Sequence, residues 1–294
     1  VAFDAHGFPV GTDESAAPPP AAPPAPAPSG EARTALPAAA NSAAANAAPA
    51  STPPAGPIGF DAGTPLLPVF AATGSPGAWK RLGGVQVTWR ITVYDPQGAV
   101  LGTREVLHTA DTNFAARDRL EFQGEGRTYG RLGPSVFAER QGRPWPTWTE
   151  PAGQELALFG MHLRLPWLFA DTAAYAVTPG GVVDRPDERL QRLLIERRPP
   201  LGLDAIGPDA EPAPRDRFEL CFEPSGGRPR ELVHRFAWPG SGARTVLFDE
   251  WEEYRGVWLA RRRIYVDDQR RPSTMLQIVA IESAAVTERD FRLH

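Results

Sequence analysis

The residues of this chain that could do chemistry are five histidines, one cysteine and a large set of carboxylates. A metal site needs ligands that converge. His6, His108, His162, His234 and His294 are scattered, with no His-x-x-x-His pair and no cysteine partner. Cys221 sits in the apolar alternation Phe218, Leu220, Phe222 with its side chain on the opposite face, which reads as a small strand-borne residue rather than a nucleophile. The run Gly240-Ser241-Gly242 is turn chemistry and lacks the Gly-x-Ser-x-Gly spacing of an esterase elbow. Gly124-Glu125-Gly126 falls between two short strand signals, as a hairpin does, and no phosphate-cradling or dinucleotide-binding glycine loop occurs. No two carboxylates stand out as an acid/base pair. These residues predict a non-enzymatic protein with no catalytic residue, no metal and no cofactor.

Two further groupings could bind rather than react. Arg117-Asp118-Arg119 and Arg261-Arg262-Arg263 both fall in strand patterns, where alternate arginines share a face. Each cluster either forms cross-strand ion pairs on a solvated outer face or lines a groove for anionic head groups. The aromatic set Trp145, Trp148, Phe159, Trp167, Phe169 and Tyr175 is denser than elsewhere in the chain. It reads as ordinary core or as one wall of an apolar ligand cavity.

The elements that must position these residues are strands. The formal net charge of −4 argues against a general nucleic-acid binder, and no apolar run is long enough to span a bilayer as a helix. Residues 1–60 are dominated by alanine and proline, as in Pro18-Pro19-Pro20-Ala21-Ala22-Pro23, and predict a disordered tether. Because the chain starts at Val1 and enters the tether almost at once, any anchor is expected upstream. Residues 61–294 predict one antiparallel, β-rich domain. Val85, Val87, Trp89, Ile91 and Val93 alternate with polar residues, and Asp95-Pro96-Gln97-Gly98 has the residue order of a type I turn. Similar patterns follow at 117–122, 135–139, 217–223, 231–238, 245–254 and 257–266, and 274–282 is expected to close the sheet; 188–197 fits a helix or a strand and is read as a strand because Pro199-Pro200 closes the segment early. One segment breaks the pattern: Ala152, Leu156, Phe159 and Leu163 share a helical face that Pro166 should end.

The last strands carry a resemblance. Val246-Leu247-Phe248-Asp249-Glu250-Trp251, then Tyr254-Arg255-Gly256-Val257-Trp258-Leu259, then Arg263-Ile264-Tyr265-Val266 resemble the closing strands of bacterial outer-membrane lipoprotein carrier and sorting proteins with the LolA/LolB-like fold. Phe218–Arg230 and residues 84–140 are similar to earlier parts of that fold in the order of their elements. The resemblance implies an antiparallel open half-barrel with one or two helices across its concave face, enclosing an apolar cavity. It implies a lipid or the acyl chain of a lipoprotein as partner, no catalysis, and a place in the periplasm or cell envelope, with membrane tethering through a segment upstream of Val1. Leu156, Phe159, Leu163, Trp167, Phe169 and Trp89 are then the expected ligand-binding residues. The alternative is a structural or protein-interaction β domain whose concave face is packed.

Overall fold

The computed structural model describes residues 2–3, 9–10, 64–113, 117–198, 215–237 and 242–292. The chain divides into two units, Val1–Gly11 with Gly63–His294, and Thr12–Ala62. The Ala/Pro-rich tether expected over residues 1–60 lies outside the described residues, apart from β1 (Ala2–Phe3) and β2 (Pro9–Val10), which pair antiparallel.

The main sheet begins with a meander: β3 (Gly84–Tyr94), β4 (Val100–Asp111), β5 (Arg117–Phe122), β6 (Arg127–Leu132), β7 (Ser135–Arg140) and β8 (Arg143–Pro144). After a 3₁₀ turn at Pro146–Trp148 comes the helix α3 (Thr149–Arg164), then a second 3₁₀ turn at Trp167–Ala170. The second meander is β9 (Tyr175–Asp184), β10 (Arg189–Arg197), β11 (Arg217–Phe222), β12 (Pro229–Arg235), β13 (Ala243–Tyr254), β14 (Val257–Val266) and β15 (Pro272–Ser283). Two short helices, α1 (Leu67–Thr73) and α2 (Pro76–Arg81), precede the sheet.

All thirteen strands form one antiparallel sheet in the order β8-β7-β6-β5-β4-β3-β15-β14-β13-β12-β11-β10-β9. The edges β8 and β9 are neighbours in sequence but not in the sheet, so the sheet stays open, as the half-barrel expectation requires. The expectation that 274–282 closes the sheet is corrected: β15 pairs with β3 in the sheet's middle. The chain walks from the centre to one edge, crosses by α3, and walks back from the other edge. Both edges are blunted, β8 by its length and Pro144, β9 by Pro179-Gly180-Gly181.

The strands form where alternation demands them. In β3, Val85, Val87, Trp89 and Ile91 point inward and are fully buried, while Gln86, Thr88 and Arg90 look outward. The turn after it is the expected one: Gly98 donates to the Asp95 carbonyl at 3.0 Å, and Asp95 Oδ1 accepts from the Gln97 and Ala99 amides. In α3 the expected face, Ala152, Leu156, Phe159 and Leu163, is wholly buried, and the helix packs on β5, β6 and β7. Pro166 follows directly on its end. The helix therefore packs mainly over the β5–β7 half of the sheet.

Candidate functional site

The arginine clusters divide by face. Arg117 pairs with Asp111 at 3.4 Å and Glu288 at 2.9 Å, and Arg119 with Glu121 at 2.9 Å, as an outer face would have them. Asp118, between them, turns inward and is completely buried. Its Oδ2 accepts from Arg131 at 2.6 Å, and its Oδ1 from Arg164 at 2.9 Å and His108 Nε2 at 2.9 Å. The indole of Trp89 can only donate, and its N–H reaches His108 Nδ1 at 3.4 Å. The proton of His108 is thereby fixed on Nε2. Burial holds His108 below its ordinary value, against the pull of Asp118, so it is neutral. Burial opposes the Asp118 charge too. Arg164, the His108 hydrogen bond and Arg131 outweigh it and hold the carboxyl well below the usual carboxylate range. Arg164 also donates to the Asp111 carbonyl at 3.2 Å, so the last turn of α3 is tied to both β4 and β5.

Gly160 explains itself against this cluster. A Cβ there would stand 2.7 Å from Arg164 Nη1 and 3.1 Å from Asp118 Oδ2. Alanine in a helix interior normally gains about 0.5–1 kcal/mol over glycine. Gly153→Ala should show that gain, because its Cβ would meet Val136 at 3.6 Å, an ordinary contact. Gly160→Ala should lose stability, by about 1 kcal/mol or more, because the Arg164 tip is held by Asp118 and cannot swing aside. Thermal melts of the two variants check the pair, and a Gly160→Ala gain equal to that of Gly153→Ala would contradict the cluster's rigidity.

Further polar groups lie along the interior. Arg261 pairs across the hairpin with Glu252 at 3.1 Å and Arg262 with Asp249 at 2.6 Å, but Arg263 is buried beneath Trp89, with its guanidinium 4.9 Å from that ring. Burial pulls the Arg263 pKa down to about 9, which still leaves it charged at neutral pH. His162, on α3, hydrogen-bonds the Tyr265 hydroxyl of β14.

Over the other half of the sheet a pocket of ≈ 280 Å³ opens between a flank of α3 and β9–β13. Ala157, Leu158 and Met161 line it from α3, with Leu168, Tyr175, Phe218 and Phe236 opposite. Register builds its far wall: Phe218 on β11 faces His234 on β12, which faces Arg244 on β13. The His234 ring stacks 4.2 Å from Phe218 and 3.8 Å from Phe236, and the Arg244 guanidinium sits 4.7 Å over Phe236. Asp216 closes the wall. It accepts from the Ala237 amide at 2.9 Å and lies 3.6 Å from Arg197 and 3.7 Å from His234. Burial works against its charge, but His234, the Ala237 amide and Arg197 together hold it below the ordinary range.

The six residues expected to bind ligand sit elsewhere. Leu156, Phe159 and Leu163 face the β5–β7 half of the sheet, and Phe159 meets Trp89 edge-on at 6.1 Å. Trp167 stacks on Trp79 at 4.7 Å, and Phe169 backs the pocket by packing on Tyr175 at 5.4 Å and Phe218 at 5.2 Å. None of the six is in the pocket lining. The lining comes from the neighbouring flank of α3 and from Phe218, His234 and Arg244. Sequence reasoning took His234 as one of five scattered histidines, and only the cross-strand register brings it to Arg244. Cys221 is buried away from the pocket, and burial pushes its thiol up to about 11. Among the described residues no group of three or more His, Cys, Asp or Glu converges as a metal site would need.

No protein-family model matches the chain, and no curated protein matches it. Among solved structures, the chain is similar to a putative outer membrane lipoprotein-sorting protein domain from Vibrio parahaemolyticus. That match has 13% identity and a TM-score of 0.46, and covers 73% of this chain and 92% of that one. The chain is also similar to a LolA superfamily protein from Nitrosomonas europaea, at 12% identity and a TM-score of 0.48, over 74% of this chain and 97% of that one.

Proposed function

We propose that this chain is a non-enzymatic binding protein that takes an amphiphile of the bacterial envelope, a lipid or one acyl chain of a lipoprotein, into the pocket beside α3. The observation that supports this reading is the pocket itself: a largely apolar hollow beside α3, which packs mainly on β5–β7. Its ≈ 280 Å³ lies near the small end of ligand pockets, which run about 300–1,000 Å³, and suits a single chain. Each methylene moved there from water contributes about 0.8 kcal/mol, before the cost of association is subtracted. Phe169, behind Tyr175 and Phe218, holds the wall in place under this reading, and the other five expected residues seat α3 and its continuation. Periplasmic or envelope placement, and tethering through a segment upstream of Val1, belong to the same proposal.

The second reading, a protein-interaction or structural module, is favoured by the seal between α3 and β5–β7, where Leu156, Phe159 and Leu163 are fully buried. Uptake of an uncharged naphthylamine dye, whose emission rises in apolar surroundings, separates the two. The parent chain should bind it saturably. Met161→Trp, which puts an indole into the pocket from a half-buried position, should keep its melting temperature and weaken uptake by about tenfold or more, equivalent to about 1.4 kcal/mol. A parent that never binds the dye, or a variant that binds it as well as the parent, contradicts the proposal.

A further inference from the structure

The polar groups around the pocket differ in how they are engaged. The arginines of its lining have partners of their own: Arg131 and Arg164 hold Asp118 at 2.6 Å and 2.9 Å, Arg197 lies 3.6 Å from Asp216, and the Arg244 guanidinium covers the Phe236 ring. His234 is different. It lines the pocket and is only 6% exposed, yet among the described residues neither of its ring nitrogens has a hydrogen-bond partner. Burial holds the ring below its ordinary value, against the pull of Asp216 and with Arg244 nearby, so it is neutral at neutral pH. A neutral imidazole has one N–H and one bare nitrogen. Nε2 looks to the Asp216 carboxylate at 3.7 Å, too long for a hydrogen bond but close enough for the anion to keep the proton on that nitrogen. Nδ1 is then a bare acceptor beside a largely apolar hollow. Phe218 and Phe236 pack on the ring at 4.2 Å and 3.8 Å and hold it in place before a ligand arrives. A buried acceptor is costly to leave unanswered, and only a donor answers it. A carbonyl, ether or carboxylate oxygen does not.

We infer that the pocket prefers an amphiphile whose polar end carries an uncharged hydrogen-bond donor, a hydroxyl or an amide N–H, which His234 receives at Nδ1. This rests on the amphiphile reading above and adds to it the class of polar end. Gln154 and Tyr175 also line the pocket and bring an amide and a phenol able to serve the oxygen of the same group. An amphiphile without a donor still gains the burial of its chain but leaves Nδ1 unanswered.

Two matched pairs test this by displacing the naphthylamine dye: dodecanol against dodecyl methyl ether, and N-methyldodecanamide against N,N-dimethyldodecanamide. Within a pair the chain is the same and one donor is lost to a methyl group. The donor should bind at least about fivefold tighter in one or both pairs, although its partner is the more apolar molecule. The pair that separates tells whether a hydroxyl or an amide is the source. His234→Phe keeps a ring in the stack and removes both nitrogens, and in it the members of each pair should bind within about twofold of one another. Nitrogen NMR of the parent adds a direct reading. The bare Nδ1 signal of His234 should move upfield on saturation with the donor and little with its methylated partner. If the parent binds the dye but neither pair separates, or if His234→Phe keeps the preference, the donor inference is overturned and the pocket stands. If the dye itself does not bind, the amphiphile reading fails and this one with it. Should His234→Phe not fold, the matched pairs and the Nδ1 signal of the parent still decide the question.

Discussion

Asp118→Ala should remove about 3–5 kcal/mol of stability at neutral pH, a large share of what a domain has. The carboxylate is completely buried and is the shared acceptor of Arg131, Arg164 and His108. Removing it leaves cations in the interior without this anion, the situation in which a broken buried pair is most costly. It also unties the end of α3 from β5. Asp118→Asn keeps the shape and loses the charge, so it should fall between the parent and alanine. The sign of the pH dependence follows from the shifts. Asp118 has a folded pKa below its unfolded one, so its contribution is fully present above about pH 4 and is lost as the pH falls towards the folded value. His108 is held below its ordinary value with Asp118, Arg164 and Arg131 facing it. Its contribution is therefore present above about pH 6.5 and declines as the pH falls below that, because only the unfolded chain takes up the proton. Urea denaturation at pH 7 and at about pH 5 reads the His108 effect, and a further series at about pH 3 reads that of Asp118. An Asp118→Ala variant within about 1 kcal/mol of the parent at pH 7 would contradict the cluster.

Phe159→Ala should cost about 3–5 kcal/mol. The ring is fully buried on the sheet face of α3 and sits 6.1 Å from Trp89 and 6.1 Å from His108, edge-on to each. Nothing on this face borders the open pocket, so the void left by truncation has no solvent to fill it and few neighbours able to collapse into it. Denaturant titration should show a lower midpoint with an unchanged slope, and the folded fraction should still take up the neutral dye. A loss below about 1 kcal/mol would mean that α3 lies loosely on the sheet.

The contrast between these residues and the pocket shows where sequence pattern stops. The inward face of β3, the Asp95 turn, the limits of β14 and the buried face of α3 were all legible, because period two and period 3.6 are local properties. The strand β9 was hidden by Pro179-Gly180-Gly181, which an edge tolerates and a central strand would not. In β6, Gly130 interrupts the alternation because the Phe137 ring of β7 occupies the space its Cβ would need, 2.0 Å away. The helices α1 and α2, of seven and six residues, are too short to show an amphipathic window. Strand order was not legible either, since the pairing of β15 with β3 depends on α3 carrying the chain from edge to edge.

The site was less legible than the fold for the same reason. Arg117-Asp118-Arg119 announced its arginines, yet alternation sends the aspartate inward, and its partners Arg131 and Arg164 lie on another strand and on the helix. The aromatic density around 145–175 pointed to the right neighbourhood but to the packed side of α3. Phe218, His234 and Arg244 come together only through the register of three strands.

The central claim is that an amphiphile enters the pocket beside α3, and the chain carries its own reporters for it. Of its two methionines, Met161 lines the pocket and Met275 lies on β15, with its sulfur 4.0 Å from the Tyr94 hydroxyl. Methyl NMR of methionine-labelled protein therefore gives one signal at the site and one control. On titration with dodecanoate the Met161 methyl should shift saturably and show cross-peaks to ligand methylenes, while the Met275 methyl stays in place. A Met161 signal that does not move at saturating dodecanoate, or a shift confined to Met275, would contradict the account.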